Sequence, residues 1–143
     1  MAGAAIRAPG RVWLMSRMAA AYVAVSVLAR LLPLPRAFAH LSPSLRSHAG
    51  DPRRTEAIVN ALDTLLTAGI PSIHPQCWRR AAVLHRFLRL EGIDTVIVFG
   101  VLMDGPRTVE AHAGIERSGQ PFAEAADTAT YRRVFEFPAG PAS

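Results

Sequence analysis

Apolar positions along the chain change their period twice. From Arg11 to Leu32 they recur so densely that they nearly encircle a helix, which predicts a helix that is deeply buried or lies against a partner or bilayer. Pro33-Leu34-Pro35 ends it, and Leu41–Gly50 reads as a polar linker. A second helix starts at Asp51-Pro52, an N-cap acid followed by a proline suited to the first helical position. It carries the stripe Ile58, Leu62, Leu65 and Leu66 and closes at Gly69 and Pro71. A third, Gln76–Glu91, places Cys77, Ala81, Leu84 and Leu88 on one face and stops at Gly92.

Beyond Gly92 the period becomes that of strands. Thr95–Met103 is rich in Val, Ile and Phe, as a buried strand requires, and Asp104-Gly105 signals a turn. Thr108–Glu116 alternates: Val109, Ala111, Ala113 and Ile115 point one way, Glu110, His112, Gly114 and Glu116 the other. Ser118-Gly119 makes a second turn, Pro121–Glu124 begins a third strand, and Tyr131–Phe137 reads as a last edge strand before Pro138. Helices followed by antiparallel strands predict an α+β fold.

Composition sharpens this picture. The chain has 143 residues, 50% apolar and 19% charged, which suits one globular core rather than a disordered or fibrous chain. Its one cysteine excludes an internal disulfide and a cysteine-based zinc site, and no metal or cofactor is expected. The net charge of +5 is uneven, because residues 1–50 hold six arginines and no acid. That segment matches an acidic partner or a membrane surface. Ala37-Phe38-Ala39 resembles a signal-peptide cleavage site, but Arg30 and Arg36 separate it from the apolar run. The apolar run is also closed early by Arg30 for a spanning helix, so a cytoplasmic chain is expected, with membrane-surface contact through the first helix.

Cys77 opens its helix, where unpaired amides and the helix dipole favour a thiolate, and Arg79 and Arg80 add positive charge. A free cysteine on a helix face is otherwise a small core residue. His112 lies on the polar side of a strand between Ala111 and Ala113, whose small side chains admit close packing. A helix-terminal cysteine packed across that strand would give the thiol–imidazole pair of nucleophilic catalysis. His74 ranks second as base, while His85 lies too far along the cysteine's own helix. Glu124 and Asp127 are candidates to orient the imidazole. Strand register favours Glu124: pairing Gln120 with Arg117 puts Ala125 opposite His112 and Glu124 one step away. The Cys77 N–H and the neighbouring Gln76 are candidate oxyanion donors.

Pro75-Gln76-Cys77-Trp78-Arg79-Arg80-Ala81, the helix ending at Gly92, Val98-Phe99-Gly100-Val101 and Glu110-Ala111-His112-Ala113 together resemble the lasso-peptide leader peptidases, over roughly residues 10–138. These are small bacterial maturation proteases with a transglutaminase-like, papain-related core. The resemblance implies a cysteine peptidase that frees a ribosomally made precursor from its leader, with Cys77 as nucleophile, His112 as base and Glu124 as the acid. It also implies a separate leader-binding protein and an ATP-dependent lasso cyclase as partners, and no nucleic acid. The chain departs from the family in having Gly114 where an aromatic follows the histidine, and a glutamate where the acid is usually aspartate. The expected division is a basic apolar helix at 1–36, a linker at 37–50 and a transglutaminase-like peptidase core at 51–143. Two other functions fit the residues: a catalytically lapsed peptide-binding domain, favoured by Gly114, and an adaptor that binds membrane or nucleic acid through the basic helix.

Overall fold

The computed structural model describes residues 8–45, 50–70, 73, 76–104, 106, 108–123 and 131–138. Four helices, α1 (Ala8–Leu31), α2 (Leu34–Leu41), α3 (Pro52–Thr67) and α4 (Cys77–Leu90), precede four strands. The strands are β1 (Val96–Asp104), β2 (Thr108–Arg117), β3 (Gln120–Phe122) and β4 (Arg132–Phe137). They form one antiparallel sheet in the order β3-β2-β1-β4, so the fold is α+β as the period change predicts.

Local chemistry explains most boundaries. The Asp51 carboxylate accepts the Arg53 N–H at 2.9 Å and Pro52 fills the first turn of α3. Gly92, at φ 82°, lets the chain reverse after α4, and the Ile93 N–H bonds back to the Leu88 carbonyl at 2.9 Å. Ser118 and Gly119 both have positive φ, 52° and 77°, as a two-residue hairpin turn requires.

The stretch Pro33-Leu34-Pro35 does more than end a helix. Pro35 sits in the first turn of α2, where a missing N–H costs nothing, and the new helix runs through the first part of the expected linker. Its Ala37 and Phe38 are buried in the core.

One core joins the helices to the sheet. Met18, Tyr22 and Val25 of α1 are fully buried beside Leu62 of α3 and Leu84 and Leu88 of α4. Ile97, Ala113 and Ile115 form the sheet's buried side. Phe38 of α2 stacks on Phe99 and meets Phe137, with ring centroids 6.1 and 5.7 Å apart.

His85 is a core residue, not a surface base. It is 2% exposed, with Nε2 2.9 Å from the Ser42 hydroxyl and Nδ1 2.9 Å from the Thr95 hydroxyl. Its ring meets Phe137 edge-on at 6.1 Å. The Thr95 bond fixes α4 lengthwise against the start of β1.

Candidate active site

Cys77 is exposed at the first position of α4. The turn that presents it is held from α1. The Gln76 N–H donates to the buried Tyr22 hydroxyl at 3.1 Å, and the Gln76 carbonyl accepts the Arg80 N–H at 3.0 Å. The Gln76 side chain makes no capping bond and stands exposed beside the cysteine. Burial raises the Tyr22 pKa above its ordinary value, against the Gln76 N–H and the Arg79 charge, which lower it.

Arg79 and Arg80 do not act as a simple positive pair behind the thiol. Arg80 grips the Asp63 carboxylate of α3 through Nε at 2.9 Å and Nη2 at 3.3 Å, and Nη2 also donates to the Ala123 carbonyl at 3.0 Å. Its charge is largely matched by that carboxylate. The Arg79 guanidinium lies 5.0 Å from the centroid of the Trp78 ring.

Strand alternation sets the side. Ala113 and Ile115 turn towards the helices, whereas His112 shares the opposite side with Gly100, Gly114 and Glu116. The sequence reading set the cysteine helix directly across the histidine's side of the strand. The structure instead stacks α4 on the alanine side and opens His112 onto a cleft. Near His112 the margin of β2 is bare among the described residues, because the β3 ladder stops at Ile115↔Phe122.

Tyr131 packs beside His112. Its ring centroid is 5.4 Å from that of His112, and its hydroxyl donates to Glu110 Oε1 at 2.9 Å. The bond to the Glu110 carboxylate raises its pKa. Gly100 makes this placement possible, since a Cβ there would lie 2.8 Å from the Tyr131 Cβ. A bulge assists: Phe99 pairs with Phe135 but Gly100 pairs with Arg133, leaving Val134 as the extra residue in β4.

His112, Tyr131, Gly100, Gly114 and Val98 wall a cleft of about 290 Å³. Arg133 closes its far end, paired with Glu116 and, at 2.8 Å, with Glu136. The cleft offers an imidazole at one wall, an ion pair at the other and an almost bare backbone floor. An extended peptide can approach such a floor closely.

The predicted register of the third strand is observed, with Arg117 opposite Gln120 and Glu116 opposite Pro121. Ala123, at φ 54°, leaves the ladder, and Arg80 holds its carbonyl. Glu124, Asp127 and the alternative base His74 lie outside the described residues.

Sequence reasoning did not single out Tyr22, Tyr131, Glu110 or Gly100. Tyr22 carried a signal, as a polar-tipped ring inside an otherwise aliphatic run. Gly100, alone in a strand of large apolar residues, is a sign of close backbone approach. Tyr131 and Glu110 had none, because their meeting depends on the β1–β4 bulge.

The fold and these residues define an α+β domain with an exposed helix-terminal cysteine and an antiparallel sheet that carries a strand histidine. The sequence agrees with that class: residues 15–136 match the family model of the transglutaminase-like superfamily, and the chain belongs to that superfamily. No curated protein and no solved structure gives a match.

Proposed function

We propose that this protein is a cysteine peptidase that removes the leader from a ribosomally made precursor during lasso-peptide biosynthesis. The observation that supports it is an exposed cysteine at the first position of α4 in a domain whose strand β2 carries His112 at the wall of a cleft. Membership of the transglutaminase-like superfamily, which includes cysteine peptidases, supports the same reading.

In this mechanism Cys77 reaches His112 around the margin of β2 that the β3 ladder leaves open, His112 takes the thiol proton, and the sulfur attacks the scissile carbonyl carbon. The Cys77 N–H and the Gln76 side-chain amide hold the oxyanion. Collapse breaks the C–N bond, and His112 returns its proton to the amine of the released core peptide. Water, deprotonated by His112, then cleaves the leader thioester and restores the thiol. Glu124 orients the imidazole. The enzyme works in the cytoplasm with a separate leader-binding protein, ahead of an ATP-dependent cyclase.

The test is leader release from a synthetic lasso precursor in the presence of the leader-binding protein, followed by mass spectrometry. Cleavage by the wild type and its loss in Cys77→Ala, with unchanged thermal melting, is the expected result. Cleavage that survives Cys77→Ala refutes the assignment. Gly114, which leaves the cleft floor open, favours a second reading as a lapsed peptide-binding domain. That reading predicts precursor binding without release.

A further inference from the structure

The first helix has two apolar sides, and the fold uses only one. Val12, Ser16, Ala20, Val23, Val27 and Leu31 follow steps of four, four, three, four and four, so they form a single stripe, and all are exposed. Residues two apart on a helix point about 200° apart. Accordingly Leu14, Met18, Tyr22 and Val25, each two residues beyond a stripe position, are buried in the core. From Val12 to Leu31 the stripe runs roughly 30 Å.

The surroundings of the stripe are basic. Arg30 lies on it near its C-terminal end, and Arg36 is exposed on α2 just beyond. At the other end the exposed Trp13 ring, a side chain suited to a headgroup region, flanks the stripe, while the Arg17 guanidinium lies between it and Phe87 of α4, 4.6 and 5.5 Å from the two ring centroids. Arg11 is turned to α3 instead, where it donates to the Thr64 hydroxyl at 3.3 Å.

We infer that α1 lies flat on an anionic lipid bilayer, with the stripe in the acyl–headgroup boundary and Arg30 and Arg36 on lipid phosphates. The helix is long and apolar enough to cross a membrane. Spanning would, however, pull fully buried Met18, Tyr22 and Val25 out of the core they share with α3 and α4. A flat pose keeps that core and covers only the exposed side. The charge decides the occupant: Arg30 on the stripe and Arg36 just beyond it are exposed cations, which fit a continuous anionic layer. This inference does not depend on the peptidase assignment.

The test is cosedimentation of the full chain with phosphatidylcholine vesicles, with and without phosphatidylglycerol. Binding should require phosphatidylglycerol and weaken as salt rises. Trp fluorescence should shift to the blue on binding, and Trp13→Phe should remove the shift. Val23→Asp with Val27→Asp should weaken binding at least about tenfold, with the circular dichroism spectrum unchanged. If that double variant does not fold, Arg30→Glu with Arg36→Glu, at two exposed positions, should abolish the preference for phosphatidylglycerol. Equal binding to both vesicle types overturns the inference, as does undiminished binding by the folded variants. A dimer that forms without vesicles and is dispersed by the valine substitutions also overturns it, in favour of a second copy of the chain.

Discussion

Lowering the pH should weaken this fold in a way that traces to His85. Burial, and secondarily the Arg89 guanidinium, lowers its pKa from 6.5 to about 4. The neutral ring satisfies both hydroxyl partners, one nitrogen donating and the other accepting. Above pH 6.5 the ring is neutral in both the folded and the unfolded chain. Between 6.5 and about 4 the unfolded chain gains a proton that the folded one refuses, so stability falls throughout that window. The full loss is about 3 kcal/mol, of which about 2 has gone by pH 5. That is a large part of the 5–15 kcal/mol typical of a domain.

Urea melts at a series of pH values between 7 and 4.5 measure this slope, and His85→Leu isolates it. The variant starts lower, by about 1–3 kcal/mol, because the buried Thr95 hydroxyl loses its partner. Its stability should then fall less steeply than that of the wild type, the two curves converging by about 2 kcal/mol at pH 5. His85→Asn serves as the second variant should the leucine prevent folding. Parallel curves for wild type and variant would refute the account of His85 as a buried neutral histidine.

Gly100→Ala should cost about 1–3 kcal/mol and push Tyr131 off His112, because the new Cβ has only 2.8 Å to the Tyr131 Cβ. The check is thermal melting together with the ring-proton shifts of His112 in NMR spectra, and unchanged shifts would contradict the packing. Glu124→Gln should slow leader release at least about tenfold, roughly 1.4 kcal/mol of barrier, with Asp127→Asn much milder. Single-turnover assays decide, and the reverse ranking moves the orienting role to Asp127.

The helices and strands were legible because each rests on a local signal. Asp51-Pro52 starts α3, Gly92 stops α4, and Ser118-Gly119 turns β2 into β3, all within a few residues of the boundary. The helix α2 was missed for the opposite reason, since Pro33 and Pro35 stop one helix and start another with the same residues. The histidine's side of the strand was legible from the alternation around Ala113 and Ile115. Which side of the sheet α4 covers was not, because alternation gives two sides without saying where a helix will pack. Arg80 shows the same limit: its charge was visible in the sequence, but its pairing with Asp63 joins residues of two different helices. Tyr131 reaches His112 only through the bulge at Val134, a one-residue shift that no period reveals.

The encircling apolar pattern of α1 has a physical consequence for the candidate site. A soluble amphipathic helix has one apolar side, and its other side tells water from core. Here Tyr22 and Val23 are adjacent in sequence but serve different surroundings, one buried and one exposed. The Tyr22 hydroxyl reaches inward to hold the Gln76 N–H, so the cysteine turn is tied to the side of α1 that faces α3 and α4. In the proposed flat pose the bilayer takes the other side. The helices and the sheet then stand on α1 away from the lipid. A membrane contact made through the stripe therefore leaves Cys77 in water, where a peptide precursor and its leader-binding protein can reach it. In that pose the same helix would hold the domain to the surface and fix the turn that carries the proposed nucleophile.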